Sequence, residues 1–245
     1  MLKKIPLLCA LVLLLPALAL AQFKKPVDVI PTDAGDVSIT FLGHASLMLE
    51  WNGKVIHVDP WSTQADYASL PKADLVLITH EHRDHLDTAA IEAIRKDGTV
   101  LCASLKASAP LSGARVLKNG EGGDFLGIRV HAVPAYNRVH MRSGSEPYHP
   151  RGVGNGYVLH FGSTRIYIAG DTEDIPEMAG SAGVDVAFLP VNMPYTMSID
   201  MLVQAAGLLQ PKVLYPYHTG DTNMDTVQAR LAGLPGVETR IRPMK

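Results

Sequence analysis

A histidine-rich hexapeptide constrains the fold of this chain more than any other feature. Residues 80–85 read HEHRDH and directly follow the apolar run DLVLIT, which is typical of a buried strand. In an extended backbone His80 and His82 point to the same side, while Asp84 and His85 lie beyond the bend. A purely structural role would require buried partners for three imidazoles and a carboxylate. We therefore predict a metal site at the end of this strand.

The ligand types in this hexapeptide favour particular metals. A mixed imidazole and carboxylate set suits Zn²⁺ best, with Mn²⁺ or Fe as further possibilities. Because the ligands can face two points, we expect two divalent ions, about 3.5–4 Å apart, which is the usual arrangement for clamping attacking and leaving oxygens. The helical H-E-x-x-H motif of thermolysin-like proteases is absent from the hexapeptide.

Strand-like segments dominate the chain, and helical segments are fewer. The pattern of strands first and strand–helix alternation later predicts two sheets covered by helices in one domain. Asp87 and Ser198 are the expected N-caps of the first two helices. The predicted strands are Val37–Leu42, Ala45–Glu50, Lys54–Val58, Leu75–Thr79, Thr99–Ala103, Ile128–Val133, Gly156–Phe161, Arg165–Ala169, Val184–Pro190, Val213–Tyr217 and Val237–Ile241. The predicted helices are Thr88–Lys96, Ser198–Leu209 and Asp225–Leu231.

Residues 1–21 have the pattern of a secretory signal peptide. Lys3 and Lys4 precede the apolar run Leu7–Leu15, and Ala19-Leu20-Ala21 is a small-residue cleavage signal. The apolar run is short and is followed by Pro16, which argues against a membrane anchor. We expect cleavage before residue 22, a secreted or periplasmic location, no stable membrane anchor afterwards, and one hydrolase domain over residues 22–245.

Removal of the signal peptide changes the balance of charge and cysteine. The remaining chain has 20 basic and 24 acidic residues, a formal net charge of −4, which argues against a nucleic-acid partner. Only Cys102 remains, so an intramolecular disulfide is excluded. All ten histidines are retained. We therefore expect a small-molecule substrate, and no pattern in the chain predicts an oligomeric state.

Four segments, one of which contains the hexapeptide, make the chain resemble the metallo-β-lactamase-fold superfamily. Each matches a family motif in the expected order: Val55–Pro60, Thr79–Asp87, Ile168–Thr172 and Tyr215–His218. The segment Phe41–Leu47 is similar to a branch of general metal-dependent hydrolases that includes L-ascorbate-6-phosphate lactonase and N-acyl-phosphatidylethanolamine phospholipase D. The resemblance implies a four-layer αββα sandwich of two mixed sheets flanked by helices, with the site at one edge.

The resemblance also implies roles for individual residues. One metal would be held by His80 and His82, the second by Asp84, His85 and His218, and Asp171 would bridge the two ions. Asp59 would orient the histidine loop through hydrogen bonds.

One position departs from the family pattern. Where the branch has Pro-Ala-x-His, this chain has Pro134-Ala135-Tyr136-Asn137. Asparagine is a poor zinc ligand, so the third ligand of the first metal is either Asn137 or a nearby histidine. His149 is the leading substitute, and His131 and His140 are the others. A weak first site, or a single ion at the second, follows as an alternative.

The polar segment 137–152 is expected to lie over the metals. It carries Arg138, Arg142 and Arg151, whose guanidinium groups suit an anionic substrate, although a solvated surface loop is the simpler alternative. Residues 192–196 are expected on the opposite wall. Predicted substrate contacts are His44, Tyr136, Arg138, Arg151 and Tyr217.

These patterns predict an exported metal-dependent hydrolase. A metal-activated hydroxide would attack an ester-type bond, with Asp84 and His85 as the catalytic residues and Asp84 exchanging a proton. A phosphodiester or phosphorylated small molecule is favoured because Asp171 stands where the best-known subclass of β-lactamases carries cysteine. A lactonase or amidase, including a β-lactamase, is the first alternative. A noncatalytic metal-dependent binding or sensor module is the second, because of Asn137.

Overall fold

The computed structural model describes residues 25–245, so the predicted signal peptide lies outside the described residues. The first sheet contains seven strands in chain order, antiparallel from β1 to β4 and parallel from β4 to β7. These strands are β1 (Val27–Ile30), β2 (Val37–Gly43), β3 (Ser46–Trp51), β4 (Lys54–Val58), β5 (Leu75–Ile78), β6 (Val100–Ala103) and β7 (Arg115–Val116).

The second sheet also contains seven strands and is likewise mixed. Its strands are β8 (Gly122–Phe125), β9 (Ile128–Ala135), β12 (Gly154–Phe161), β13 (Thr164–Ile168), β14 (Val186–Pro190), β15 (Val213–Tyr217) and β16 (Glu238–Thr239). Their order is β16-β15-β14-β13-β12-β9-β8, with β13 to β16 parallel. A separate two-stranded ribbon, β10 (Met141–Ser143) and β11 (Glu146–Pro147), lies in the connection between β9 and β12.

The helices are short, and side chains cap the three longest. They are α1 (Thr88–Ile94), α2 (Leu105–Ser108), α3 (Ile199–Leu209) and α4 (Met224–Leu231), with a 3-10 helix at Pro176–Ser181. Asp87 accepts from the first backbone amides of α1, and Ser198 and Asn223 do the same for α3 and α4. None of the helices in the described part of the chain has the length and apolar character needed to span a bilayer.

Three apolar clusters define four layers. The largest lies between the two sheets, where Phe188 stacks on Tyr215 with ring centroids 5.0 Å apart. A second cluster packs α3 and α4 against the outer face of the second sheet, and a third packs α1 and α2 against the first sheet. This arrangement confirms the αββα sandwich.

His57 on β4 is a fully buried histidine away from the polar edge of the sandwich. Its Nε2 donates to the carbonyl of Pro71 at 3.1 Å, and its Nδ1 has no hydrogen-bond partner within residues 25–245. Burial lowers the pKa of His57 to about 4. The unfolded chain takes up this proton near pH 6.5, whereas the folded protein does so only near pH 4.

We therefore expect His57 to make the protein acid-sensitive. Between pH 6.5 and 4 the unfolded state binds more protons, so the free energy of unfolding should fall by about 3 kcal/mol through this group alone. In urea denaturation with chelator present, His57→Gln should lose this part of the pH dependence. His131→Gln, on the exposed side of β9, is the matched control. Parallel pH profiles for wild type and His57→Gln would contradict this expectation.

Candidate metal centre

Predicted ligands and the predicted orienting residue Asp59 meet at one edge of the sandwich. Asp59 follows β4, the His80–His85 loop follows β5, Asp171 follows β13 and His218 follows β15. Strands β4 and β5 are parallel, as are β13, β14 and β15, so their carboxyl ends open on the same edge of each sheet. The fold thus brings together residues that are up to 159 positions apart in the sequence.

Eight side chains form two adjacent groups at this edge. In each group, one possible ligand atom per residue lies within 4.8 Å of all the others. The first group is His80, His82, His149 and Asp171, and the second is His44, Asp84, His85 and His218.

Asp171 faces both groups. Its Oδ2 lies 3.3 Å from His149 Nε2 and 3.3 Å from His218 Nε2, and its Oδ1 lies 3.4 Å from His85 Nε2. The carboxylate therefore stands between the two groups, where a bridging ligand would be needed.

Several buried atoms at the centre lack hydrogen-bond partners. Within the described residues these are the Nε2 atoms of His80, His85 and His218 and the Oδ1 atom of Asp171. Leaving such a group unsatisfied costs about 1–3 kcal/mol. A cation coordinated by these atoms would remove that cost, and imidazole nitrogens with carboxylate oxygens are suitable donors for Zn²⁺. The residues present therefore fit divalent metal ions.

Asp59 and Thr79 fix two of the imidazoles. The Asp59 carboxylate accepts from the Thr79 backbone amide at 2.8 Å, from the Thr79 hydroxyl at 2.6 Å and from His85 Nδ1 at 2.8 Å. His80 Nδ1 in turn lies 3.0 Å from the Thr79 hydroxyl. With Nδ1 of both rings donating, both Nε2 lone pairs are directed to the centre. The structure places Asp59 where the sequence predicts an orienting residue.

Charge coupling at the centre is strong. Burial alone would raise the pKa of Asp171, but the imidazoles of His218 and His85 outweigh it and hold that pKa well below its usual range. Burial would lower the pKa of His218, yet Asp171 raises it to about 9. Burial would likewise lower the pKa of His85, yet Asp171 and Asp59 raise it well above its usual value. Asp171 thus favours protons on these imidazoles, and metal binding has to displace such protons.

Backbone strain is concentrated at the same edge. Among the described residues, six that are not glycine have positive φ, and three of these are His44 (53°), Asp59 (44°) and His218 (48°). Such conformations cost about 1–3 kcal/mol each and persist where the surrounding structure enforces them, often at functional sites.

A close backbone approach supports the turn that carries Asp171. Gly170 has φ +66°, and a Cβ there would lie 2.6 Å from the Asn155 carbonyl oxygen, so only glycine fits. The Gly170 amide donates to the hydroxyl of Tyr217 at 2.8 Å. Tyr217 is fully buried and does not line the cleft, so its predicted role as a substrate contact is wrong. It positions the turn instead.

His149, rather than Asn137, joins the first ligand group. His149 Nε2 lies 3.1 Å from His82 Nδ1, and its Nδ1 donates to Asn137 Oδ1 at 2.6 Å. The Asn137 amide nitrogen donates to Glu173 and to the Tyr195 carbonyl, which fixes Oδ1 toward His149. Asn137 thus belongs to neither ligand group; it orients the imidazole that does.

Glu173 anchors the segment that carries Asn137. This fully buried carboxylate accepts from the backbone amides of Arg138, Val139 and His140 at 2.7–2.8 Å and from the Asn137 side chain at 3.1 Å. His140 Nδ1 lies 2.7 Å from Glu173 Oε1, and His140 is in neither ligand group. His131, on the exposed side of β9, is also in neither group. Sequence reasoning missed Glu173 because an acidic residue after Gly-Asp-Thr gives no signal of its distant partners.

His44 occupies the second group but has a different function from its neighbours. Its Nε2 lies 3.0 Å from Asp84 Oδ2, and its ring lies over His218 with centroids 3.8 Å apart. A nitrogen that donates to a carboxylate has no lone pair left for a metal ion. His44 is therefore placed to orient Asp84 rather than to act as a ligand, and it also lines the cleft, as predicted.

A cleft of about 560 Å³ opens above the two groups. Besides the ligand residues, its lining includes Arg83, Arg142, Tyr148, Asn192 and Tyr195. Asn192 and Tyr195 belong to the segment 192–196 expected on the opposite wall. Sequence reasoning did not identify Arg83, Tyr148 or Tyr195 individually, since an exposed loop carries no periodicity that separates wall residues from their neighbours.

Three further predicted substrate contacts lie outside the lining of this cleft. The Tyr136 hydroxyl donates to Glu177, and Arg151 both pairs with Glu177 and covers the Tyr136 ring. Arg138 is directed to Asp174, 3.9 Å away. The structure does not bring these three side chains into the cleft, because nearby carboxylates outside it attract them.

Comparison with known proteins agrees with the geometry. Residues 38–218 match the family model of the Beta-lactamase superfamily domain. A UPF0173 metal-dependent hydrolase of Thermus thermophilus is 33% identical over 192 residues, covering 74% of this chain and 83% of that protein. One from Archaeoglobus fulgidus is also 33% identical, over 193 residues, with the same coverage.

Solved structures of similar fold support the same assignment. A protein of Parabacteroides distasonis described as a metal-dependent hydrolase superposes with a TM-score of 0.86 at 46% identity, covering 90% of this chain and all of that one. A metallo hydrolase of Ignicoccus hospitalis superposes with a TM-score of 0.71 at 26% identity, covering 85% and 96%. Fold and site together define a metal-dependent hydrolase. The chain belongs to the metallo-β-lactamase superfamily.

Proposed function

We propose that this protein is an exported hydrolase that uses two divalent ions, both zinc, to cleave a phosphodiester or a related phosphorylated small molecule. One observation carries the proposal: the carboxylate of Asp171 stands between the two groups, at the floor of a cleft whose wall carries Arg83 and Arg142. Residues 1–21, with their signal-peptide pattern, support export.

The charges in the cleft favour an anionic ester. The charge of two divalent ions would exceed the negative charge of the Asp84 and Asp171 carboxylates. Arg83 and Arg142 add two positive charges on the wall. Arg142 Nη2 now lies 3.2 Å from His82 Nε2. If His82 gives Nδ1 to a metal ion, Nε2 carries the proton and no longer accepts from Arg142. The guanidinium is then available for an anion.

Residues of the protein would transfer the proton and position the other groups. Bound ions would lower the pKa of water toward neutrality and polarise the substrate oxygen. Asp84, whose side chain is 35% exposed, reaches into the cleft and is held by His44, so it can accept or return a proton there. Asn192, 3.3 Å from His218 Nδ1, steadies that ring at the opposite wall.

Substitution of Asp84 tests this assignment. With zinc-loaded protein we expect hydrolysis of bis(p-nitrophenyl) phosphate that stops on chelation and returns with Zn²⁺. Asp84→Asn should lower kcat by about 10²–10⁴-fold, as is usual when a proton-transfer group is lost. His85→Ala should lower both metal content and kcat. Asp200→Asn, on the exposed surface of α3, is the matched control and should leave both unchanged.

The same experiment separates the alternatives. Full metal content with undiminished turnover in both Asp84→Asn and His85→Ala would contradict the proposal. Turnover of lactones or of a β-lactam without phosphodiester turnover would favour the lactonase or amidase function. Metal binding with no turnover of any of these substrates would favour a binding or sensor module.

A further inference from the structure

The cleft has an aromatic wall that the hydrolytic chemistry does not require. Tyr148 and Tyr195 form this wall, and their rings contact each other edge to face, with centroids 5.1 Å apart and an interplanar angle of 78°. Tyr195 is 47% exposed, and its neighbour Met193 is 46% exposed. Apolar surface gathered at the mouth of a polar cleft is characteristic of a binding site rather than of general protein surface.

This wall is connected to the first ligand group through the backbone and through Asn137. Tyr148 directly precedes His149, and the Tyr195 carbonyl accepts from the Asn137 amide at 2.9 Å, the same amide that orients His149. The turn itself is closed by amides of Tyr195 and Thr196 that donate to the Asn192 carbonyl at 3.0 and 2.9 Å. The aromatic pair is therefore preorganised relative to the ligands, which lowers the entropic cost of binding against it.

The positive charge in the cleft lies beside this pair. The guanidinium of Arg142 stands 5.9 Å from the centroid of the Tyr148 ring and also reaches His82. An anion near the first ligand group would therefore meet Arg142, and any group attached to it on that side would extend along Tyr148 and Tyr195. A cleft of about 560 Å³ is larger than a lone phosphate needs and falls within the usual range for small organic ligands.

We propose that Tyr148 and Tyr195 form a specificity subsite for a flat aromatic substituent of an anionic ester. This inference rests on the proposed function, because it names which part of the phosphodiester substrate the second half of the cleft binds. Offset or edge-to-face contact with the two rings supplies the recognition, while the metals and Arg142 hold the charged centre.

Equilibrium binding tests the subsite without requiring turnover. The probes are diphenyl phosphate and dimethyl phosphate, which carry the same charge and differ only in their substituents, titrated into zinc-loaded protein by calorimetry. We expect diphenyl phosphate to bind at least about tenfold more tightly. Tyr148→Ala and Tyr195→Ala should each weaken it about 3–10-fold with little effect on dimethyl phosphate, and the corresponding Phe variants should retain the preference. Leu105→Ala, at an exposed position on α2, is the control.

The outcomes separate the subsite from the proposed function. Equal affinity for the two phosphates, failure of both to bind, or equal losses for both in the Tyr→Ala variants would overturn the subsite. An aryl preference that depends on Tyr148 and Tyr195, without hydrolysis of any phosphodiester, would support the subsite and overturn the function. Hydrolysis of bis(p-nitrophenyl) phosphate with a KM that is unchanged in Tyr148→Ala and Tyr195→Ala would support the function and overturn the subsite.

Discussion

Replacing Asp171 with alanine is expected to weaken metal binding at both ligand groups and to lower hydrolysis by at least about 10³-fold. Asp171 is the only residue whose two oxygens lie near imidazoles of both groups within the described chain, at 3.3 Å from His149 and His218 and 3.4 Å from His85. The loss of affinity should exceed the roughly 10–100-fold seen when an outer hydrogen-bond partner is removed.

Competition titrations with a chromophoric chelator measure this effect directly. Because Asp171 is buried, Asp171→Asn should be tested beside Asp171→Ala; it keeps the shape and one oxygen but loses the charge. Circular dichroism and thermal unfolding show whether each variant is folded. Asp200→Asn is again the surface control. A folded Asp171→Asn variant that binds metal as wild type does would show that this carboxylate is not shared.

His149→Ala should remove one metal-binding event and leave the other. His149 belongs to the group with His80 and His82, whereas the possible ligands Asp84, His85 and His218 belong to the second group. Asn137→Ala should have a smaller effect of the same kind, about 10–100-fold weaker binding at that group alone, because Asn137 Oδ1 holds His149 through its backbone amide at 2.9 Å and its Nδ1 at 2.6 Å.

Two-step titration of each variant gives the affinities separately. Asn119→Ala is the matched control, since Asn119 also makes several side-chain hydrogen bonds, but to Val133, Gly154 and Asn155 rather than to a ligand. An Asn137→Ala variant with two unchanged binding events would show that the hydrogen bond to His149 has no positioning role. Loss of both events in His149→Ala would show that the two groups are not separable.

The regular elements of the fold were predictable because their cues are local. All eleven predicted strands overlap observed ones, and Asp87 and Ser198 cap α1 and α3 as expected. The edge strand β1 was missed because Val27 and Val29 are exposed, so burial does not impose an apolar run there. The ribbon β10–β11 was missed because it is short, mostly exposed and has no apolar run.

The same distinction between local and distant cues applies to the residues of the site. The histidines of the loop after β5 could be identified from six consecutive residues, because strand geometry fixes where they point. His149 could only be offered as one of several substitutes, since its place depends on Asn137 and Glu173, which are 12 and 24 positions away from it. The directions of Arg138 and Arg151 depend on Asp174 and Glu177, which no local pattern reveals.

The zinc stoichiometry of the pure protein tests the central claim most directly. After exhaustive chelation, the chain should be titrated with Zn²⁺ by calorimetry and the product checked by elemental analysis. Two adjacent ligand groups that share Asp171 require two equivalents per chain, with phosphodiester hydrolysis appearing as they fill. Saturation at one equivalent or none, in a folded protein, would contradict the account.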